Sequence, residues 1–350
     1  MNTIKIEDYK IKLVEGKLID VEPTINNKQK NKSRKVIDEN SLRVVSLFSG
    51  CGGLDLGFTN AGFNVIWAND INKKLIPTYN YNHPNTEFIV KSISDIPSNE
   101  IPDCDVIIGG PPCQSWSLAG SLRGIEDDRG KLFLEYIRII KDKQPKVFVA
   151  ENVKGIISSR HKHTFDNFIK SFKEIGYNVE YKLLNAKKYG VPQDRERVII
   201  VGVREDINDN YIFPEPTHIT NYISLREAIG DLVNNSDEYM EGSFSSMYMS
   251  RNRRRGWDEV AFTVQASGRQ AQLHPDSPQM VKVDKDKMEF QGNGAIRRMS
   301  VRESARIQTF PDNFEFITDR LDEKYKMIGN AVPVKLAEAI ANEIKKILKY

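Results

Sequence analysis

From Arg43 onward, short apolar runs alternate with stretches of helical periodicity, and this alternation constrains the fold of the 350-residue chain more than any other feature. Val44 to Phe48 reads as a buried strand and Leu54 to Ala61 as a helix. Val65 to Ala68 is a second strand, followed by a helical stretch through Tyr81. Val106 to Ile108 is strand-like, and Phe133 to Ile140 is apolar at helical spacing. Val147 to Ala150, Val179 to Leu184 and Val198 to Val203 complete the strand set. Nearly continuous apolar strands separated by amphipathic helices predict an α/β fold, a doubly wound and mostly parallel sheet covered on both faces.

The alternation stops between about Asp206 and Ala295, where polar, Gly- and Arg-rich sequence carries only isolated apolar residues. This predicts a smaller, loop-rich domain over 204–321, set between 42–203 and 322–350 of the α/β domain. Ser300 and Glu303 have capping-box spacing, and a last helix is expected to start at Pro333 and run through Leu336, Ile340, Ile344 and Ile347. Residues 1–41 stand apart. Ile4, Ile6, Tyr9, Ile11 and Leu13 alternate loosely with charged residues, and Glu15-Gly16 suits the turn of a small hairpin. Lys28, Lys30, Lys32, Arg34 and Lys35 then form either a solvated linker or a basic arm on nucleic acid.

Composition excludes several classes. A hydrophobic fraction of 39% and a charged fraction of 28% fit an ordinary globular protein, and a net charge of +3 alone does not establish a polyanionic partner. Cys51, Cys104 and Cys113 leave an odd count without CxxC or Cys/His spacing, which argues against a disulfide scaffold or a structural metal site. No apolar run approaches the roughly 18 residues of a membrane span. Lys5, Glu7 and Asp8 interrupt the place of a secretory peptide. A reducing cytoplasm is the expected compartment.

Ser49-Gly50-Cys51-Gly52-Gly53 follows the first strand, where glycines let the backbone turn and approach a ligand. Asp70 ends the second strand, placed to accept hydrogen bonds from ribose hydroxyls. A dinucleotide loop would have a third glycine where Asp55 stands. A dehydrogenase loop, a structural turn and a site for a single nucleoside such as S-adenosylmethionine all remain compatible with this segment.

Gly109-Gly110-Pro111-Pro112-Cys113-Gln114 places Cys113 on a stiff loop at the carboxyl end of a strand, where open α/β sheets bind ligands. A lone cysteine is more often a small buried hydrophobe than a nucleophile, but packing needs no such rigid loop. Glu151-Asn152-Val153 brings a carboxylate to the same edge, with a helix-capping pair as the bland alternative. Gln193-Asp194-Arg195-Glu196-Arg197 precedes another strand. Arg195 and Arg197 there point to one face, able to hold a phosphate or stabilise a thiolate; Asp194 and Glu196 make a salt-bridged edge the competitor.

Taken in order, Ser46 to Gly53, Gly110-Pro111-Pro112-Cys113-Gln114, Glu151-Asn152-Val153, Gln193-x-Arg195-x-Arg197 and Tyr325-x-x-Ile328-Gly329-Asn330-Ala331-Val332-Pro333 resemble the motif set of cytosine-5 methyltransferases. Arg298 to Phe314 resembles the family segment that supports the recognition domain. The resemblance implies an S-adenosylmethionine-dependent fold in which the Cys113 thiolate adds to C6 of a cytosine flipped out of duplex DNA. Glu151 would bond N3 and the exocyclic amine, and Arg195 and Arg197 would position the base and Cys113. It also implies cofactor contacts from Phe48, Ser49, Gly50, Gly52, Gly53 and Leu54, from Asp70 and Ile71, and from Pro111, Asn330, Ala331 and Val332. No metal is implied. Where the family has Gly-Asp-Ile, this chain has Lys91-Ser92-Ile93, with Asp95 three residues after Ser92. Either Ser92 takes the adenine contact, with Ile93 also at the cofactor, or the loop is shifted.

Ser250 to Pro275 mixes Arg251, Arg253, Arg254, Arg255 and Arg269 with Asn252, Gln265, Gln270 and Gln272, residue types that read base edges or hold phosphates. Arg251, Arg253, Arg255, Gln265, Arg269 and Gln270 are the expected DNA contacts there, the glutamines and Gly268 following the arginine cluster in a polar strand-like stretch. Gln114, Ser117 and Arg123 are expected from the loop after Cys113. This segment, with Gly120 to Gly124, resembles bacterial modification methylases that recognise GGCC. The implied enzyme acts on duplex DNA as a monomer, without a membrane or a required protein partner, and protects DNA from a cognate endonuclease. The competing readings are an RNA (tRNA) methyltransferase on the same fold and an inactive DNA-binding relative. A dehydrogenase is more distant, since nothing supplies its catalytic His or Lys.

Overall fold

The structure, a computed structural model, describes residues 2–6, 9–14, 17–23, 41–112, 128–232 and 238–349, with backbone alone for 2–23 and 128–130. The chain divides into two compact units, Met1–Lys35 and Val36–Tyr350. In the first, β1 (Asn2–Ile6), β2 (Tyr9–Val14) and β3 (Lys17–Pro23) form an antiparallel sheet in sequential order. Strands β2 and β3 flank residues 15–16 and pair Val14 with Lys17, as the hairpin reading expects. The basic run from Asn26 to Lys35 lies outside the described residues.

In the second unit, seven strands form one sheet: β4 (Arg43–Leu47), β5 (Asn64–Asp70), β6 (Glu87–Val90), β7 (Val106–Gly109), β8 (Val147–Val153), β9 (Tyr177–Asn185) and β10 (Glu196–Arg204). Their order is β6-β5-β4-β7-β8-β10-β9, parallel through β8, with β10 running antiparallel to both β8 and β9. The order reverses between β4 and β7, so the loops after these two strands open the ligand crevice of a doubly wound sheet.

Alternation along each strand sends successive side chains to opposite faces. Val44, Val106, Ile108, Val147, Val149, Ile199 and Val201 belong to one core cluster with helices α1 (Gly53–Asn60) and α8 (Val334–Ile347). Val45, Ile107, Phe148, Ala150, Val198 and Ile200 belong to the other, under α3 (Asp128–Lys143) and α4 (Lys162–Glu174), while α2 (Ile76–Asn82) joins β5 to β6. The repeat Leu336, Ile340 and Ile344 of α8 is wholly buried on the first face. Truncating any one of these to alanine would cost roughly 2–5 kcal/mol. Pro333 stands at the N-cap (φ −57°, ψ 131°) rather than inside the helix: its ring fixes the turn into α8, and its carbonyl accepts the first helical bond from Ala337 N at 3.0 Å.

Residues 204–321 contain helix α5 (Leu225–Ile229), the hairpin β11 (Gln279–Asp284) and β12 (Lys287–Gln291), and helix α6 (Val301–Ile307). The Ser300–Glu303 capping box is present, with Glu303 N donating to Ser300 Oγ at 3.1 Å and Ser300 N to Glu303 Oε2 at 2.7 Å. One apolar cluster runs from Leu225 through Phe310 and Phe314 to Tyr325, Ile328 and Val334, and so continues across 321/322 into helix α7 (Leu321–Asn330). Among the described residues no helix is long and apolar enough to cross a membrane.

Candidate active site

Strand β4 ends at Leu47, one residue short of the expected end, because Phe48 takes a left-handed backbone (φ 55°). Gly50 (φ 57°) and Gly52 (φ 86°) continue the turn into α1, a conformation that glycine adopts at little steric cost. Asp70 clasps this loop. Its Oδ2 accepts from Gly50 N at 3.0 Å and its Oδ1 from Asn72 N at 2.9 Å. Burial pushes the Asp70 carboxyl above its ordinary range, opposed by those hydrogen bonds and by the charge of Lys326.

Asp55, at the third-glycine position, is not a ligand residue. It is wholly buried beneath the loop, accepting from Ser46 Oγ at 2.6 Å and from Tyr79 OH at 2.5 Å. Its carboxyl is pushed up to about 6, by burial first. Cys51 is buried too, its Sγ 3.4 Å from the Met327 carbonyl, and burial pushes its thiol up to about 12. A thiol held neutral in this way is a poor nucleophile.

The loop opens onto a cleft of about 550 Å³. Phe48, Ser49, Gly50, Gly53 and Leu54 line one side, with Asp70, Ile71, Ser92 and Ile93 beside them. Pro111, Asn330, Ala331 and Val332 also line it. Among the residues expected at the cofactor, Gly52 alone is absent from the lining. A Cβ there would come 2.1 Å from His83 Nε2, so this glycine serves close packing behind the loop. Ser92 faces the cleft and Asp95 does not; the Asp95 amide instead donates to the Ser92 carbonyl at 2.9 Å. Glu323 and Lys326 of α7 line the cleft as well, Glu323 paired with Lys74 at 2.6 Å. Their only sequence signal was their helical spacing ahead of Asn330.

At the other end, β7 delivers Gly110, Pro111 and Pro112 to the cleft, and Asn152 Nδ2 holds the Pro111 carbonyl at 3.2 Å. Cys113, Gln114, Ser117 and Arg123 lie outside the described residues. Glu151 and Arg197 sit on the same wall, Arg197 Nε 2.8 Å from Glu151 Oε1. A Cβ on Gly110 would lie 3.5 Å from Glu151 Oε2, so the second carboxylate oxygen faces the loop that leads into Cys113. Arg195 is 1% exposed, with Nη2 donating at 3.0 Å to both the Gly329 and Ala331 carbonyls. Burial, then the charge of Arg197, push it well below the usual arginine value, against the pull of Glu151.

The Arg- and Gln-rich segment separates into two kinds of side chain. Arg251, Gln265 and Arg269 are exposed. Arg253 is 7% exposed and spends its guanidinium inward, Nε on the Tyr248 carbonyl at 3.3 Å and Nη2 on Gln270 Oε1 at 2.7 Å. Arg255 lies over the Phe262 ring, its centroid 4.1 Å away, and bonds Glu259 at 2.8 Å. Arg253 and Arg255 are therefore committed within the fold, and Gln270 is partly committed through Arg253. Arg254 likewise donates to the Pro275 and Ser277 carbonyls. Buried Gln272 exchanges hydrogen bonds with the Phe262 backbone. The stretch after Val264 is not a strand: its backbone turns through a 3-10 helix at Gly268–Gln270. Arg298 is committed inward too, donating to the Met240, Gly242 and Ser243 carbonyls.

A doubly wound sheet with a cleft at its switch point, glycine loop at one end and carboxylate–guanidinium pair at the other, defines a ligand-binding α/β protein of the Rossmann-like class. The C-5 cytosine-specific DNA methylase family matches residues 42–346, and the chain belongs to that family. Its members methylate DNA cytosine at carbon 5. The Type II methyltransferase M.FnuDI of Fusobacterium nucleatum is 53% identical over 328 residues, covering 88% of this chain and 95% of the relative. The Type II methyltransferase M.MthTI of Methanothermobacter thermautotrophicus is 52% identical, covering 88% of this chain and 98% of the relative. Among solved structures, one described as a DNA modification methyltransferase encoded within an E. coli prophage aligns with a TM-score of 0.71 at 23% identity, over 89% of this chain and 100% of its own. The Dnmt2 methyltransferase of S. pombe aligns at 0.63 and 19%, with the same coverage. Both likenesses are of fold.

Proposed function

We propose that the chain is the modification methylase of a restriction–modification system. It transfers a methyl group from S-adenosylmethionine to carbon 5 of a cytosine flipped out of duplex DNA, within GGCC. The observation that carries this reading is the single cleft in which the Asp70-clasped loop and the Glu151–Arg197 pair share one space. The residues present fit the cofactor. A cleft of about 550 Å³ suits a nucleoside joined to an amino acid. The Asp70 carboxylate, bonded by the Gly50, Ile71 and Asn72 amides, retains acceptor capacity for a ribose hydroxyl. Asp55 replaces the glycine that a diphosphate would use. The cofactor supplies an electrophilic methyl group.

The remaining chemistry belongs to the chain. Cys113 as thiolate forms a bond to C6, which makes C5 nucleophilic. C5 accepts the methyl group, a base removes the C5 proton, and the S–C6 bond breaks to restore the aromatic ring and the thiolate. Glu151, held by Arg197, bonds the N3 and amine edge of the cytosine and stabilises the adduct. Arg195 and Arg197 keep this wall in place. Residues 204–321 form the target-recognition domain, with Arg251, Gln265 and Arg269 at its exposed surface and 42–203 and 322–350 as the catalytic domain.

The test is methyl transfer from labelled S-adenosylmethionine to genomic DNA, followed by mapping of the modified base. Methylcytosine in GGCC, with complete loss on Cys113→Ser, supports the reading. Modification of another sequence would refute the target, unaltered turnover by Cys113→Ser would sink the mechanism, and labelling of tRNA but not duplex DNA would move the substrate to RNA.

A further inference from the structure

Three wholly or almost wholly buried polar side chains connect the recognition segment to the cofactor wall. Gln193 and Gln308 are 0% exposed and Arg195 is 1% exposed. Val264 N donates to Gln193 Oε1 at 2.8 Å, Gln193 Nε2 donates to Gln308 Oε1 at 2.6 Å, and Gln308 Nε2 donates to the Ile328 and Ala331 carbonyls at 2.8 and 2.9 Å. Every bond in this chain donates in the same direction, from the recognition segment toward the cleft. A second route starts at the same residue: the Val264 carbonyl accepts from Arg195 Nη1 at 3.4 Å, and Arg195 Nη2 reaches the Ala331 carbonyl at 3.0 Å. Both routes converge on Ala331, which lines the cleft. The backbones meet as well, since a Cβ on Gly329 would lie 2.4 Å from Gln265 C and Ala266 N.

We propose that Gln308 is the positioning residue of a buried relay that couples DNA binding at the recognition segment to cofactor affinity, a proposal that rests on the reading of the cleft and segment given above. The two residues after Val264 in the exposed set, Gln265 and Arg269, are where DNA would load the segment. Both amides donate twice, Gln193 Nε2 also to the Ile307 carbonyl at 3.4 Å, and each amide oxygen accepts once, so a shift at one end exchanges bonds at the other. Coupling is reciprocal: duplex tightens the cofactor by the same factor that cofactor tightens duplex. Substituting Gln308 by Met keeps bulk but removes an acceptor from Gln193 and one of the two donors on the Ile328 carbonyl, the other being Ala331 N, and leaves the Arg195 route in place.

The experiment measures the affinity of the full chain for S-adenosylhomocysteine, alone and with duplex oligonucleotides, one carrying the mapped methylation site and one of equal length without cytosine. Wild-type protein is expected to bind at least about tenfold tighter with the site-bearing duplex, within the usual range of coupling. Gln308→Met should reduce that factor to within about twofold. A factor unchanged in Gln308→Met, or absent from the wild type, overturns the relay while the cofactor reading stands. Failure of the wild type to bind S-adenosylhomocysteine at all overturns both. A second measurement needs no variant: hydrogen exchange at the Val264 amide should slow when S-adenosylhomocysteine binds without DNA, and exchange that does not change overturns the relay.

Discussion

Arg197 and Glu151 meet diagonally across the antiparallel pairing of β10 with β8, where Arg197 lies opposite Val153 and Glu151 opposite Ile199, with Nε 2.8 Å from Oε1 and both side chains only 13–14% exposed. The pair fixes one carboxylate oxygen and leaves the other toward the Gly110 loop. If Glu151 acts on the cytosine edge, losing Arg197 leaves a carboxylate of the right kind in the wrong place. Arg197→Ala should lower kcat/KM about 10²–10³-fold, the scale of losing one fixed electrostatic partner. S-adenosylhomocysteine affinity should stay within about threefold. A steady-state assay with a parallel binding titration separates the two, and a loss confined to cofactor binding would contradict the assignment.

The adenine contact can be decided by a pair of variants. Ser92 lines the cleft, and Asp95 does not. Ser92→Ala should weaken S-adenosylmethionine binding by about three- to tenfold, the worth of one hydrogen bond near 1 kcal/mol. Asp95→Ala should change it by less than about twofold. The reverse ranking in calorimetric titration would mean that the loop shifts to bring Asp95 inward.

The strands and the order of the site segments were legible because both carry strong local patterns. Val147 to Ala150 and Val198 to Val201 are continuous apolar runs, and the Gly-Gly-Pro-Pro and glycine-loop segments fall directly at strand ends. The reversed direction of β10 was not legible, because a strand buried on both faces has the same apolar pattern whichever way it runs. Arg253 and Arg251 were indistinguishable for a related reason. An irregular loop has no side-chain period, so nothing in the string says which guanidinium turns in to Tyr248 and which stays in solvent. Glu323 and Lys326 were hidden among ordinary helix-surface charges.

That distinction within the recognition segment predicts opposite phenotypes for neighbouring arginines. Arg253→Ala removes bonds to the buried Tyr248 carbonyl and to half-buried Gln270 and leaves both acceptors without that donor. It should lower stability by about 2–3 kcal/mol, read by denaturant unfolding. Arg251→Ala removes an exposed side chain and should leave stability within about 0.5 kcal/mol. If Arg251 contacts DNA, the same variant should weaken binding of the methylated site by about 1–3 kcal/mol or flatten its salt dependence, according to whether it reads a base or a phosphate. Equal unfolding midpoints for the two variants would show that the inward bonds of Arg253 carry no weight.

Asp55 ties the stability of the cofactor loop to pH. Its carboxyl is wholly buried and pushed up to about 6 from an ordinary 3.8. In the folded state the proton is therefore retained while the unfolded chain has already lost it. The contribution of this group is fully favourable below about pH 4 and is lost as pH rises through about 6, a change on the order of 3 kcal/mol for a shift of about two units. Asparagine mimics the protonated form and does not titrate. The Tm of Asp55→Asn should therefore gain on the wild type as pH is raised from 4 to 7 and keep a constant offset above that. Ser46 and Tyr79 hydroxyls can reorient to serve either form. Thermal unfolding of both proteins across this range gives the result directly. Parallel curves would mean that Asp55 ionises in the folded protein as easily as in the unfolded chain, and that the Ser46 and Tyr79 hydrogen bonds fully offset its burial.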